Sequence, residues 1–186
     1  MSAQDETAWT LETPRLRARR WRESDVDAAF ELYGDPEVTR WIGGDCEPDV
    51  AAMSAKLRFL IERYQSVPEG MGSWPAFTRD SGRLVAVGLC KPIPDREDRP
   101  GDDIEIGWHV LRSEWGQGYA TELGKALLDH CRSRLGLSRV NVVVEPPNVA
   151  SVAVARKLGL DDQGRTTSYY GGIELEHFVW DRGAPE

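Results

Sequence analysis

Long apolar runs are missing from this sequence, as are metal-ligand spacings and any surplus of positive charge. The longest uninterrupted apolar stretch is about Leu84 to Cys90, far short of the ~18 to 20 residues that span a bilayer. No membrane span is expected. Cysteine is scarce: Cys46, Cys90 and Cys131 are odd in number, widely spaced and outside any C-x-x-C pair. This argues against a disulfide framework or a zinc site and for reduced thiols. The three histidines lie far apart and no H-E-x-x-H occurs, so no metal is expected. Lysine and arginine number 23 against 31 aspartates and glutamates, a net charge of -8. A nucleic-acid partner would call for a basic stripe that is not there, whereas a cationic substrate is compatible with this balance. The opening decapeptide, MSAQDETAWT, has neither the basic n-region nor the apolar h-region of a secretory signal. A cytoplasmic location is expected.

What is present suits one compact unit. With 186 residues, 40% of them hydrophobic and 29% charged, the chain is long enough for one buried core and short for two domains. We expect a flexible tail over residues 1–10 and a single domain over residues 11–182. Leu16 to Arg22, after a Thr-Pro pair, reads as a first strand. Ser24 with Asp27 reads as a capping box opening a helix to Tyr33, closed by Gly34. A second helix is expected from Pro48 to Tyr64, with Met53, Leu57, Leu60, Ile61 and Tyr64 at helical spacing. Trp74 to Arg79 and Arg83 to Ile93 read as a hairpin around Asp80-Ser81-Gly82. The proline-rich stretch from Pro92 to Gly101 reads as an exposed loop. A strand over Ile104 to Leu111, a long helix over Gly118 to Leu135 and a β-branched strand over Arg139 to Val144 follow. A short helix from Asn148 to Leu158 and two last strands, Arg165 to Tyr170 and Glu174 to Trp180, complete the pattern. This order calls for an α/β (α+β) domain with a mixed, mostly antiparallel sheet flanked by helices.

The most informative segment is Trp115-Gly116-Gln117-Gly118-Tyr119-Ala120-Thr121-Glu122, between a strand and the long helix. Small residues there let the main chain approach a ligand, and the N–H groups of the helix start suit a pyrophosphate. The same turn is compatible with a purely structural role. It matches neither a Rossmann G-x-G-x-x-G nor a phosphate loop ending in Gly-Lys-Ser/Thr.

This segment resembles the acyl-CoA loop of the GNAT acyltransferases, in particular the RimJ/RimL-like branch, which reads Q/R-x-x-G-x-G/A. Gly118 and Ala120 match the small positions, while Trp115 stands where Gln or Arg is usual. Leu11-Glu12-Thr13-Pro14-Arg15-Leu16 resembles the opening of that branch and Ile104-Glu105-Ile106-Gly107-Trp108 its fourth strand. Asn148 through Ser151 to Lys157-Leu158-Gly159 resembles its N-x-x-S…K-x-G-F segment, with Leu160 in place of Phe. The resemblance covers about Leu11 to Trp180. It implies the GNAT fold, acetyl-CoA as cosubstrate and transfer of acetyl to a primary amine.

Site residues follow from the same resemblance. Gly116, Gln117, Gly118, Tyr119, Ala120 and Thr121 would hold acetyl-CoA by main-chain N–H groups. Val110 would offer an N–H to the thioester carbonyl where two strands splay, and Leu111 would help to hold the pantetheine arm. Asn148 would contact the pantetheine amide, although capping alone explains it, and Ser151 would donate to the departing sulfur. Deprotonation of the amine needs a nearby acceptor, because an α-amine has a reference pKa of ~7.7 to 8.0 and a lysine amine ~10.4. Glu105 is the leading candidate, with a solvated or arginine-paired strand residue as the alternative. His109 lies two residues on, on the same strand face, and reads first as structural. Trp41, Trp74 and Trp108 are either core or the wall of an amine pocket. The expected acceptor is a protein amino terminus, as for ribosomal-protein alanine. Small amines of the antibiotic, polyamine or metabolite kind are the second choice, and a non-catalytic acyl-CoA sensor is a reading from another class. Both a monomer and a homodimer remain open, as does the length of the acyl group.

Overall fold

The computed structural model describes residues 10–65 and 67–181. The proposed tail, apart from Thr10, and the last residue of the proposed domain, Arg182, lie outside the described residues. Eight strands form one sheet in the order β1-β2-β3-β4-β5-β6-β8-β7. They are β1 (Leu11–Glu12), β2 (Leu16–Ala18), β3 (Gly72–Thr78), β4 (Leu84–Pro94), β5 (Pro100–Val110), β6 (Arg139–Val144), β7 (Asp161–Thr166) and β8 (Leu175–Asp181). Every neighbouring pair is antiparallel except β5 with β6. That parallel step needs a crossover, which α4 (Tyr119–Ser133) supplies.

Two cores lie on the two faces of the sheet. On one, α1 (Val26–Tyr33) and α3 (Val50–Arg63) bury Ala29, Leu32, Met53 and Leu57 against Leu84, Val87 and Leu111. On the other, α4 and α5 (Val149–Lys157) pack Leu123, Leu127 and Ala155 against Trp74, Ala86, Ile106, Val142 and Phe178. Because side chains alternate along a strand, β5 serves both cores. Ile104, Ile106, Trp108 and Val110 point to the α4 side, and Glu105, Gly107, His109 and Leu111 point to the α1 and α3 side.

Several boundaries differ from the sequence expectation for identifiable reasons. The first strand stops at Ala18, and Trp21 instead turns its indole N–H to Ser73 Oγ at 3.1 Å. Asp25, not Ser24, organises the entry to α1: its carboxylate accepts the Arg22 N–H at 2.8 Å and both guanidinium nitrogens of Arg19. A short helix α2 (Pro36–Thr39), capped by Asp35, was not legible. In α3 the cap is Asp49, which accepts from Ala52 N–H. The stretch expected as a loop from Pro92 to Gly101 is a long hairpin, paired from Pro92↔Ile104 to Pro94↔Pro100. β3 ends its pairing with β4 at Cys90, so the missing N–H of Pro92 falls on a free edge and costs no ladder bond. The strand expected at Arg165 to Tyr170 lies earlier, at Asp161–Thr166. Its exposed, polar residues carry no alternation from which it is readable.

Candidate active site

The loop entering α4 is shaped by glycines. Gly116 and Gly118 have φ of 78° and 82°, a left-handed conformation that costs other residues about 1 to 2 kcal/mol. Gly118 is the N-cap of α4, and no side chain caps this helix. The N–H groups of Tyr119, Ala120 and Thr121 are therefore left without helical partners at the positive end of a 15-residue helix. That arrangement fits an anionic pyrophosphate. Arg15 braces the loop from 102 residues away: its guanidinium donates to the Gln117 carbonyl at 3.0 Å and stacks 4.4 Å from the Tyr119 ring centroid. The same guanidinium pairs with Glu122 at 2.6 Å, and Glu122 also accepts the Thr13 hydroxyl and the Arg15 N–H. Burial would raise the Glu122 carboxyl, but these donors outweigh it and hold it below the usual range.

Strand β5 presents the second part. β5 and β6 register at a single parallel pair, Glu105↔Asn141, reinforced by the Asn141 amide donating to the Ile104 carbonyl at 3.0 Å. Beyond this pair the strands part, although β5 runs on to Val110 and β6 to Val144. The Leu111 N–H donates to Val85 in β4 at 2.9 Å. Because main-chain groups alternate in direction along a ladder, those of Val110 and Trp108 turn away from β4 and into the opening. The Val110 carbonyl accepts the Trp115 indole N–H at 2.9 Å. The tryptophan at the unusual loop position thus ties the loop to the strand. Leu111 is tied into the fold: its N–H goes to Val85, its carbonyl accepts from Glu114 at 2.8 Å, and its side chain is buried in the α1 and α3 core. The Leu111 N–H and one lone pair of its carbonyl are thus committed within the fold, whereas the Val110 N–H faces the opening.

Glu105 lies on the opposite sheet face from α4 and α5, 6% exposed. Lys91, its cross-strand partner on β4, places Nζ 2.7 Å from Oε1. The Tyr170 hydroxyl donates to the same oxygen and accepts from Lys91 Nζ at 2.8 Å. His109, farther along this face, contacts the Tyr33 hydroxyl through Nδ1 at 3.1 Å. Burial, then the charges of Lys91 and Lys56, pushes its pKa down to about 3. It is a neutral imidazole at ordinary pH and a poor proton acceptor, which leaves Glu105 as the base candidate on this face. Lys56 in turn pairs with Glu47 at 2.6 Å.

Asn148 is the N-cap of α5, with Oδ1 accepting the Ser151 N–H at 3.2 Å. Both sit on the α4 side, half-buried, so Ser151 and Glu105 lie on opposite faces of the sheet. The tryptophans separate: Trp74 is core and meets His130 edge-on, Trp108 packs on the α4 core, and Trp41 stacks with Arg40. Sequence reasoning missed Arg15, Lys91 and Tyr170 as members of the site. For Arg15 the signal was the Thr13-Pro14-Arg15 segment itself, whereas nothing local marks Lys91 or Tyr170. Among the described residues no cluster of histidine, cysteine, aspartate or glutamate is arranged to hold a metal ion, and no helix is long and apolar enough to cross a membrane.

Comparison with known proteins agrees with this fold. The family described as acetyltransferase (GNAT) domain matches residues 15–161. N-acetyltransferase YoaA of Bacillus subtilis is 28% identical over 91% of this chain and 94% of its own length. FsC-acetyl coenzyme A-N(2)-transacetylase of Aspergillus fumigatus is 31% identical over 81% of this chain and 64% of its own. Among solved structures, the ribosomal-protein-S5-alanine acetyltransferase of Vibrio fischeri superposes with a TM-score of 0.72 at 14% identity, covering 95% of this chain and 100% of that one.

Proposed function

Since the chain belongs to the GNAT acetyltransferase family and is an N-acetyltransferase, we propose that it moves acetyl from acetyl-CoA to the α-amine of a protein amino terminus. The proposal includes membership of the RimJ/RimL-like branch. The observation that supports it is the single-pair register of β5 and β6, flanked by the uncapped start of α4 and by the buried Glu105 carboxylate on β5.

In this reading the N–H groups of Gly116 through Thr121 bind the pyrophosphate, and Arg15 keeps their loop in register. Asn148 donates its amide to the pantetheine arm. The N–H of Val110, with that of Trp108, faces the thioester carbonyl and stabilises the negative charge that develops on its oxygen, an effect worth about 3 kcal/mol per donor. Glu105 takes the proton of the attacking amine, directly or through one water, and an α-amine asks less of it than a lysine would. Ser151 donates to the departing thiolate. The burial of Glu105 and the position of its face, away from α4 and α5, support an amine arriving from the α1 and α3 side.

A second acceptor class has its own support. The Aspergillus relative, 31% identical, is named for transfer to an N(2) position, which favours a small-molecule amine. The test is thiol release from acetyl-CoA against amino-terminal peptides and small amines, with calorimetric binding of acetyl-CoA alongside. Release with peptides alone supports the first reading and release with small amines alone replaces it. Binding without any release would leave an acyl-CoA sensor.

A further inference from the structure

Tyr170 stands in an unusual backbone state. Its φ is 49°, followed by 67° at Gly171 and 82° at Gly172, so a tyrosine occupies a left-handed position that bulky residues rarely adopt. Such strain persists only when the surroundings impose it, and it gathers at functional positions. Here the surroundings are the tip of the β4–β5 hairpin. Asp95 bridges to Tyr169 and its carbonyl accepts the Gly171 N–H at 3.4 Å. A side chain on Gly171 would come within 2.9 Å of the Asp98 carboxylate. The tip therefore holds the turn in place and swings the Tyr170 ring over the sheet, with Lys91 Nζ 5.1 Å from its centroid.

The contacts that result are lopsided. Both the Tyr170 hydroxyl and Lys91 Nζ bind Glu105 at Oε1, and no described residue donates to Oε2. No buried side-chain oxygen or nitrogen lacks a partner among the described residues, so Oε2, which has no donor, is the oxygen that keeps contact with solvent. We propose that Tyr170 is a positioning residue: with Lys91 it saturates Oε1 of Glu105 and thereby aims Oε2 at the incoming amine.

The other ionisable groups that the Glu105 charge reaches are Tyr64 at the end of α3, Tyr169 on the turn and Cys90 on β4. Burial raises Tyr64, and burial with the Asp103 contact pushes Tyr169 up to about 12. The contact with Cys131, then burial, raises Cys90. All three are uncharged at ordinary pH, which leaves Lys91 as the charged partner and Tyr170 as the neutral donor. The Tyr170 phenol is itself pushed up by burial and by the Glu105 charge, so it keeps its proton and remains a donor.

This inference rests on Glu105 being the proton acceptor, and the experiment separates the two. Steady-state rates for Y170F, K91Q and E105Q are measured across pH with the fastest amine of the panel, together with acetyl-CoA binding by calorimetry and thermal melting. For Y170F, kcat/KM for the amine falls about tenfold or more. The acidic limb of its pH profile moves up by about one unit, because a donor that favours the ionised acceptor is gone. The acetyl-CoA Kd stays within about twofold. A tyrosine that only props the turn would lower the melting temperature and leave the limb unmoved, and that result overturns the proposal. E105Q as fast as the unmodified enzyme would instead remove the reading beneath it. Should Y170F fail to fold, K91Q carries the same expected upward shift of the limb, and its absence is equally decisive.

Discussion

The two sides of this site are made by different means. The proposed acetyl-CoA side is mostly main chain from one contiguous stretch, Trp115 to Thr121, at the start of a long helix. The proposed amine side is side chains drawn from β4, β5 and the turn at Tyr170 to Gly172, brought together only by the sheet. Main-chain recognition tolerates varied side chains provided the glycines remain, which is why Trp115 can replace a customary Gln or Arg and take on a new contact to Val110. Side-chain recognition tolerates little. On the amine side each polar group is already committed to another, as Lys91, Glu105 and Tyr170 are to one another.

If the division is real, substitutions on the two sides separate cleanly in their effects. Glu105→Gln should lower kcat by about 10² to 10⁴, the range for a lost general base, with acetyl-CoA affinity unchanged by calorimetry. A matching loss of affinity would mean the two sides are not independent. Gly118→Val forces a β-branched residue to φ near 82°, beside the Arg15 guanidinium. It should weaken acetyl-CoA binding by about 10- to 100-fold while the pH profile keeps its shape.

Arg15→Ala removes the brace and leaves Glu122 without its guanidinium. We expect about a 3- to 10-fold rise in acetyl-CoA Kd and a lower melting temperature, since the pair is part-exposed and its worth is discounted by solvent. The amine side has its own signature in acid. His109 is depressed to about 3 in the folded chain against about 6.5 unfolded, so unfolding takes up a proton between those values. Its contribution to stability is complete above about 6.5 and is lost as pH falls toward 3. Denaturant midpoints at pH 7 and pH 5 should therefore differ less in His109→Gln than in the unmodified protein. Trp115→Phe is the mildest change, about two- to threefold in the KM for acetyl-CoA, because one indole bond to Val110 is lost from a loop held at other points.

The contrast also explains how much was readable beforehand. The helix over Tyr119–Ser133 and the strand over Arg139–Val144 were legible because apolar periodicity and β-branched density are local signals. The glycine turn before α4 and the Asn148 cap were legible from signals equally local. The different settings of Val110, whose main chain faces the opening, and Leu111, whose N–H goes to Val85 in β4, were not readable beforehand. That distinction depends on ladder register, which no periodicity prints. Strand β7 was misplaced because its bulged, exposed edge carries Asp161, Asp162 and Arg165 with no buried face to mark it. Tyr170 was read as the end of a strand, whereas contact with the β4–β5 hairpin tip makes it a left-handed turn residue.

By itself the sequence determined the longer helices and the buried strands, the glycine-shaped turn before α4 and the presence of a carboxylate, Glu105, on the strand leading to it. These depend on bonds and periodicities within about a dozen residues. Tertiary structure decided where β5 and β6 part, which of two adjacent main-chain groups faces the opening, and which side chains close on Glu105. Those outcomes depend on residues as distant as Arg15 from Glu122 and Lys91 from Tyr170, whose proximity exists only once the sheet has registered its strands.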